Sequence, residues 1–225
     1  MNPTNVYLET GKKKTFAAAL DWPGWCRAGR DEHQALQALI DYGPRYAQVL
    51  NSREIDFQLP SDTSQLIVFE RHAGNSTTDF GAPAIIPAAD REMFGWEAFE
   101  LSQTLLQACW GAFDIAVQAA SGRELGKGPR GGGRDVEKIL VHVLEADQAY
   151  LNRITWKHKL DRGEGAAAQL SRIRQAIIKA LEVAANGELP ERGPRGGIIW
   201  PPRYFIRRSA WHVLDHTWEI EDRIV

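Results

Sequence analysis

Residues 204–225, YFIRRSAWHVLDHTWEIEDRIV, decide how this chain is to be read. Trp211, Val213, Leu214 and Trp218 surround His212 and His216 at helical spacing, so the stretch predicts one long amphipathic helix. Positions four apart differ by about 40° around a helix axis, and both imidazoles therefore share one sector. A core has little use for two imidazoles one turn apart, and a surface has simpler residues available. The pair acquires meaning only with a third ligand from elsewhere in the chain.

Working back from this helix, three more helical stretches appear. AADREMFGWEAFELSQTLLQACWGAFDIAVQAA (88–120) carries Phe94, Ala98, Leu101, Leu105, Cys109 and Phe113 along one stripe. RDVEKILVHVLEADQAYLNRITW (134–156) opens with Asp135 and Glu137, acidic residues that suit a helix N-terminus. AAAQLSRIRQAIIKALEVAANG (166–187) stops at Asn186-Gly187. Two glycine- and proline-rich loops, SGRELGKGPRGGGR (121–134) and NGELPERGPRGGIIWPPRY (186–204), separate them. Four such helices in a row predict an up-down-type four-helix bundle over 87–225, because each apolar stripe must bury itself against the others. The GKGPRGGGR run has neither a preceding strand nor a GK[ST] ending, so it is not a phosphate loop.

The first 86 residues read differently, as a small α+β domain. NVYLETG and KTFAAALD are strands joined by a turn at GKKK, and WPGW then breaks the chain. DEHQALQALIDYGPRYAQVL predicts a helix with an acidic start and a kink at Gly43-Pro44. EIDFQLP and QLIVFERHAG read as further strands, and STTDFGAPAIIPAAD as a linker. The fold class is therefore α+β, with domains at 1–86 and 87–225.

A net charge of −2 offers no basic excess to drive binding to nucleic acid or an anionic membrane. The two cysteines, Cys26 and Cys109, stand in no metal-type spacing and read as reduced thiols. No apolar segment follows the basic residues near the N-terminus, and no run of about 18 apolar residues occurs. The expectation is a cytoplasmic protein.

The third ligand is His142, set among Ile139, Leu140, Val141, Val143 and Leu144 in the 134–156 helix. In a bundle that helix can face the last one, and three imidazoles then occupy three corners of a coordination sphere. Neutral imidazoles with open positions suit Zn²⁺, Ni²⁺, Fe²⁺ or Mn²⁺, and a vacant corner for water or substrate marks a catalytic site. His33, His72 and His158 stand in charged or turn-like contexts and read as surface residues.

LVHVLEADQAYL together with AWHVLDHTWEIEDR resembles the DinB/YfiT-like superfamily of metal-binding four-helix bundles, over roughly residues 90–225. The resemblance implies His142, His212 and His216 as ligands of a divalent metal, zinc or nickel before iron or manganese. It also implies a small-molecule substrate, thiol-dependent transfer or isomerisation with mycothiol, bacillithiol or glutathione, and a homodimer. The hairpin followed by WPGWCRAGRDEHQALQALIDY resembles HicB-like domains, with Trp25 separating a glycine and a cysteine that are usually adjacent.

Around the metal, Glu145 and Glu219 each lie three residues after a ligand histidine and are candidates to hydrogen-bond an imidazole. Arg208, one turn before His212, is a candidate for an anionic cofactor or substrate, and Arg207 a poorer one. The expected function is a metal-dependent thiol transferase or isomerase with the metal as Lewis acid. Two alternatives stand beside it: a non-catalytic metal- or ligand-binding module with a partner-docking N-terminal domain, and a purely structural metal.

Overall fold

The computed structural model describes residues 3–128, 133–161 and 163–225. The chain is α+β and divides into two compact units, residues 1–92 and 93–225.

In the first unit, β1 (Thr4–Thr10), β2 (Thr15–Ala19), β3 (Cys26–Gly29) and β4 (Leu66–Ala73) form one sheet in the order β3-β2-β1-β4. β1 runs antiparallel to β2 and parallel to β4, and β2 runs antiparallel to β3. Every residue of β2 is buried, as a central strand covered on both faces requires. The GKKK turn closes with the Gly11 amide donating to the Lys14 carbonyl at 2.8 Å. α1 (Glu32–Asp41), capped by the Asp31 side chain, packs on β2 and β3. It comes so close that a Cβ at Gly29 would lie 2.3 Å from the Ala35 nitrogen. α2 (Gly43–Asn51) follows at the Gly43-Pro44 kink.

Trp25 is fully buried, stacks on Tyr46 with centroids 5.9 Å apart, and donates its indole N–H to the Leu39 carbonyl. The WPGW break thus supplies a core anchor as well as a turn. Residues 54–60, expected as a strand, form none. Glu54 takes a left-handed φ of 56°, and Phe57 packs edge-on against Trp22, Trp25 and Tyr46. The segment is held by aromatic contacts where a ladder was expected. Within the stretch read as a linker, Ser76–Phe80 form the short helix α3, opened by an Asn75 capping box.

Glu9 is wholly buried on β1. Its carboxylate accepts the Thr78 hydroxyl and the backbone amides of Ala84 and Ile85. Glu70 on β4 likewise accepts the Ala88 amide. Two strand carboxylates therefore hold residues 84–88, which explains acidic side chains inside an apolar pattern. Glu9→Ala is expected to lower unfolding stability by about 2–3 kcal/mol, because one buried and two part-buried donors lose their acceptor. Chemical denaturation measures the loss, and hydrogen exchange at Ala84 and Ile85 localises it.

The second unit consists of α4 (Trp96–Ala119), α5 (Val136–Arg153), α6 (Ala166–Ala185) and α7 (Pro202–Arg223). α7 packs on α4 and α5, and α6 packs on the same two helices. Asp135 caps α5, accepting the Lys138 amide at 2.8 Å. α7 is the interior helix, with 15 of its 22 residues buried, among them Arg207, His212, His216 and Arg223. α4 begins later than the sequence suggests. A 3-10 turn at Ala88–Arg91 ends at an extended Glu92, and Gly95 opens the helix proper. Leu101 is exposed, and the buried stripe runs through Phe99, Leu105, Leu106, Cys109 and Phe113. Among the described residues no helix is long and apolar enough to cross a membrane.

Candidate metal centre

Contact between α5 and α7 brings His142 against the HxxxH pair. One ligand atom from each of His142, His212 and His216 lies within 4.8 Å of the others. His142 Nε2 and His212 Nε2 are 3.3 Å apart. The ring centroids lie 4.7–5.1 Å apart, with His216 edge to face against both His142 and His212, and His142 tilted against His212.

Two nitrogens at 3.3 Å cannot both carry protons pointed at each other. Burial holds the His142 imidazole down to about 4, assisted by the charges of His216 and Arg134. Burial, then His216 and His142, holds His212 well below its ordinary value. Both rings are neutral at pH 7 and present lone pairs. His212 Nδ1 is buried with no hydrogen-bond partner, a cost of about 1–3 kcal/mol that structures mainly tolerate at functional sites.

His216 is oriented from behind. Its Nδ1–H donates to Glu219 Oε2 at 2.8 Å, because a carboxylate only accepts, and this leaves Nε2 for a ligand. That hydrogen bond, together with the charges of His216 and Arg223, holds the Glu219 carboxyl below its usual range against the opposing effect of burial. Tetrahedral coordination with metal–nitrogen bonds of about 2.0–2.1 Å needs nitrogens about 3.3 Å apart, as His142 and His212 already are. The three histidines could hold a metal ion.

The site opens toward a cleft of about 320 Å³ lined by Arg134, Glu137, Lys138, Val141, His142 and Glu145. Glu145 is exposed in that cleft, and no hydrogen bond joins it to a histidine. Arg208 lies over the Trp211 ring at 4.7 Å and the Tyr150 ring at 5.6 Å. Arg207 is buried in the interior of its unit.

Three residues without a sequence signal border or support the site. Tyr150 meets His212 edge-on at 5.7 Å and tilts against Trp200. Arg223 ion-pairs with Glu219 at 2.5 Å. Arg134 reaches the cleft from just before α5. Tyr150 stands eight residues after His142, two helical turns on, a spacing that marks it only once His142 is known to matter.

Of the glycine-rich loop at 121–134, residues 129–132 lie outside the described residues. No family model matches the chain, and neither does any curated protein or solved structure.

Proposed function

We propose that residues 93–225 form a DinB-like four-helix bundle whose three histidines bind one divalent cation. We assign zinc or nickel first and iron or manganese second. The protein is then a metal-dependent enzyme that joins a low-molecular-weight thiol to an electrophilic small molecule, or isomerises such a molecule with the thiol's help. The observation that carries this reading is the convergence of three imidazoles within 4.8 Å, two of them held neutral by burial.

When bound, the cation supplies Lewis acidity, which lowers a thiol's pKa of about 8.5 toward neutrality or polarises a carbonyl. The chain's own residues set the stage. Glu219 keeps the proton of His216 on Nδ1, so Nε2 offers its lone pair. Tyr150 and Trp211 set aromatic surface against His212, Trp200 backs Tyr150, and Arg208 places a cation beside that wall. The half-buried His142 borders an open cleft, which favours a catalytic site over a closed structural one.

The thiol is diffusible in this reading. Cys26 and Cys109 are both buried, and burial pushes the Cys109 thiol up, so neither is a nucleophile at the site. The test follows thiol loss in metal-loaded protein given glutathione, bacillithiol or mycothiol with activated electrophiles. Consumption above the metal-free control supports the reading. Stoichiometric metal without thiol consumption, across all three thiols, overturns the enzymatic part and leaves a metal-binding module.

A further inference from the structure

Arg223 stands near the end of α7 and is 7% exposed. Its guanidinium reaches three separate acceptors. Nη1 donates to Glu219 Oε1 at 2.5 Å, Nη2 to the Arg134 carbonyl at 2.8 Å, and Nε to the Gly126 carbonyl at 2.9 Å. The backbone closes the same knot: the Gly126 amide donates to the Arg223 carbonyl at 2.7 Å, and Leu125 bridges Ile224 in antiparallel fashion. A buried guanidinium fixed at three points has almost no rotational freedom left, so the carboxylate it grips is fixed as well. That carboxylate is the one that orients His216.

We propose that Arg223 is a positioning residue of the three-histidine centre, acting through Glu219 on His216 and coupling cation affinity to the seating of the chain at Gly126 and Arg134. This rests on the metal-binding reading above. Glu219 alone would not hold the imidazole so firmly. Its side chain is 30% exposed, and an unanchored glutamate there samples several rotamers and trades His216 for water. With both oxygens engaged, one by Arg223 and one by His216, Glu219 is neither a fourth ligand nor a free base.

The geometry also singles out a remote handle. A Cβ added at Gly133 would lie 2.2 Å from Arg223 Nη2 and 2.7 Å from Cζ. The obstructing atoms are the far end of a side chain and not backbone, so Gly133→Ala is expected to displace the guanidinium, and its melting temperature shows whether the fold is kept.

The experiment titrates metal-free protein with Co²⁺, following its visible absorption, and records the melting temperature of each metal-free protein. Arg223→Ala and Glu219→Gln are each expected to weaken Co²⁺ affinity about 10–100-fold, with a double variant no worse than the weaker single. Arg223→Lys, which keeps the charge but cannot span three acceptors, is expected to lose about tenfold and serves if the alanine variant does not fold. Gly133→Ala is expected to lose about tenfold without touching a ligand or Glu219.

A lower melting temperature with unchanged Co²⁺ affinity in the Arg223 variants would make Arg223 a structural staple and overturn the proposal. Independent, additive losses from Arg223→Ala and Glu219→Gln would overturn it too. Absence of Co²⁺ binding by the unaltered protein would instead overturn the metal reading itself, and the proposal with it.

Discussion

His212→Ala is expected to weaken divalent-cation binding by roughly a thousandfold, so that elemental analysis of the purified, untagged variant finds no stoichiometric metal. His212 touches both other members of the cluster: its Nε2 lies 3.3 Å from His142 Nε2, and its ring centroid lies 4.7 Å from that of His216. With it gone, the two remaining imidazoles make a site with two ligands, which competes poorly with water. The metal-free variant is expected to change by less than about 2 kcal/mol in stability. The lost packing is offset by removing a buried nitrogen that has no partner. His142→Ala should lose the metal in parallel. Metal retained in both variants would sink the site. A collapse of the melting temperature in step with metal loss would instead favour a structural ion.

The second large effect belongs to Asp147, five residues along α5 from His142. Asp147 is fully buried, and burial pushes its carboxyl up to about 7, against a smaller pull from Arg174. Its Oδ2 has no hydrogen-bond partner. In the unfolded chain the group ionises near 3.8. Between those values the native state holds a proton that the unfolded state has released. Its contribution therefore weakens the fold progressively as pH rises from about 4 to 7 and levels off above.

Asp147→Asn removes that dependence. The variant is expected to gain on the native protein as pH rises, reaching on the order of 4 kcal/mol at pH 8 and approaching no difference near pH 4. Urea unfolding of both proteins, metal-free, at pH 4.5, 6 and 8 checks this. A difference that does not vary with pH would show that Asp147 is not held protonated.

Much of the second unit was legible because its signals are local. Helical periodicity and caps gave α5, α6 and α7, and the i, i+4 spacing of His212 and His216 placed them on one sector. The start of α4 was not legible. Apolar residues continue through Met93 and Phe94, and only the extended Glu92 and the break before Gly95 end the run. β3 was missed because CRAG is four residues with no apolar alternation, and it is a strand only through its register with β2.

Glu145 and Glu219 show where spacing fails at the site. Each stands three residues after one of the clustered histidines, and the sequence cannot separate them. In the fold, Glu145 looks out from α5 into a cleft, while Glu219 is held against His216 by Arg223. Two of the acceptors that fix Arg223 are backbone carbonyls, at Gly126 and Arg134, and no side-chain pattern announces a carbonyl.

Seventy residues separate His142 from His212. The HxxxH pair is local and forms wherever α7 turns helical, whereas His142 must arrive from a distant helix. Recruiting His142 then closes a long loop, which costs about 4 kcal/mol of chain entropy when done without a bond. A cation held by all three histidines would keep that closure for as long as it stayed. Such an ion would work as a reversible cross-link between α5 and α7. If the three histidines hold a cation only once they have met, unfolding in the presence of the metal is expected to be slower than in a chelator, with the refolding limb of the kinetics little changed.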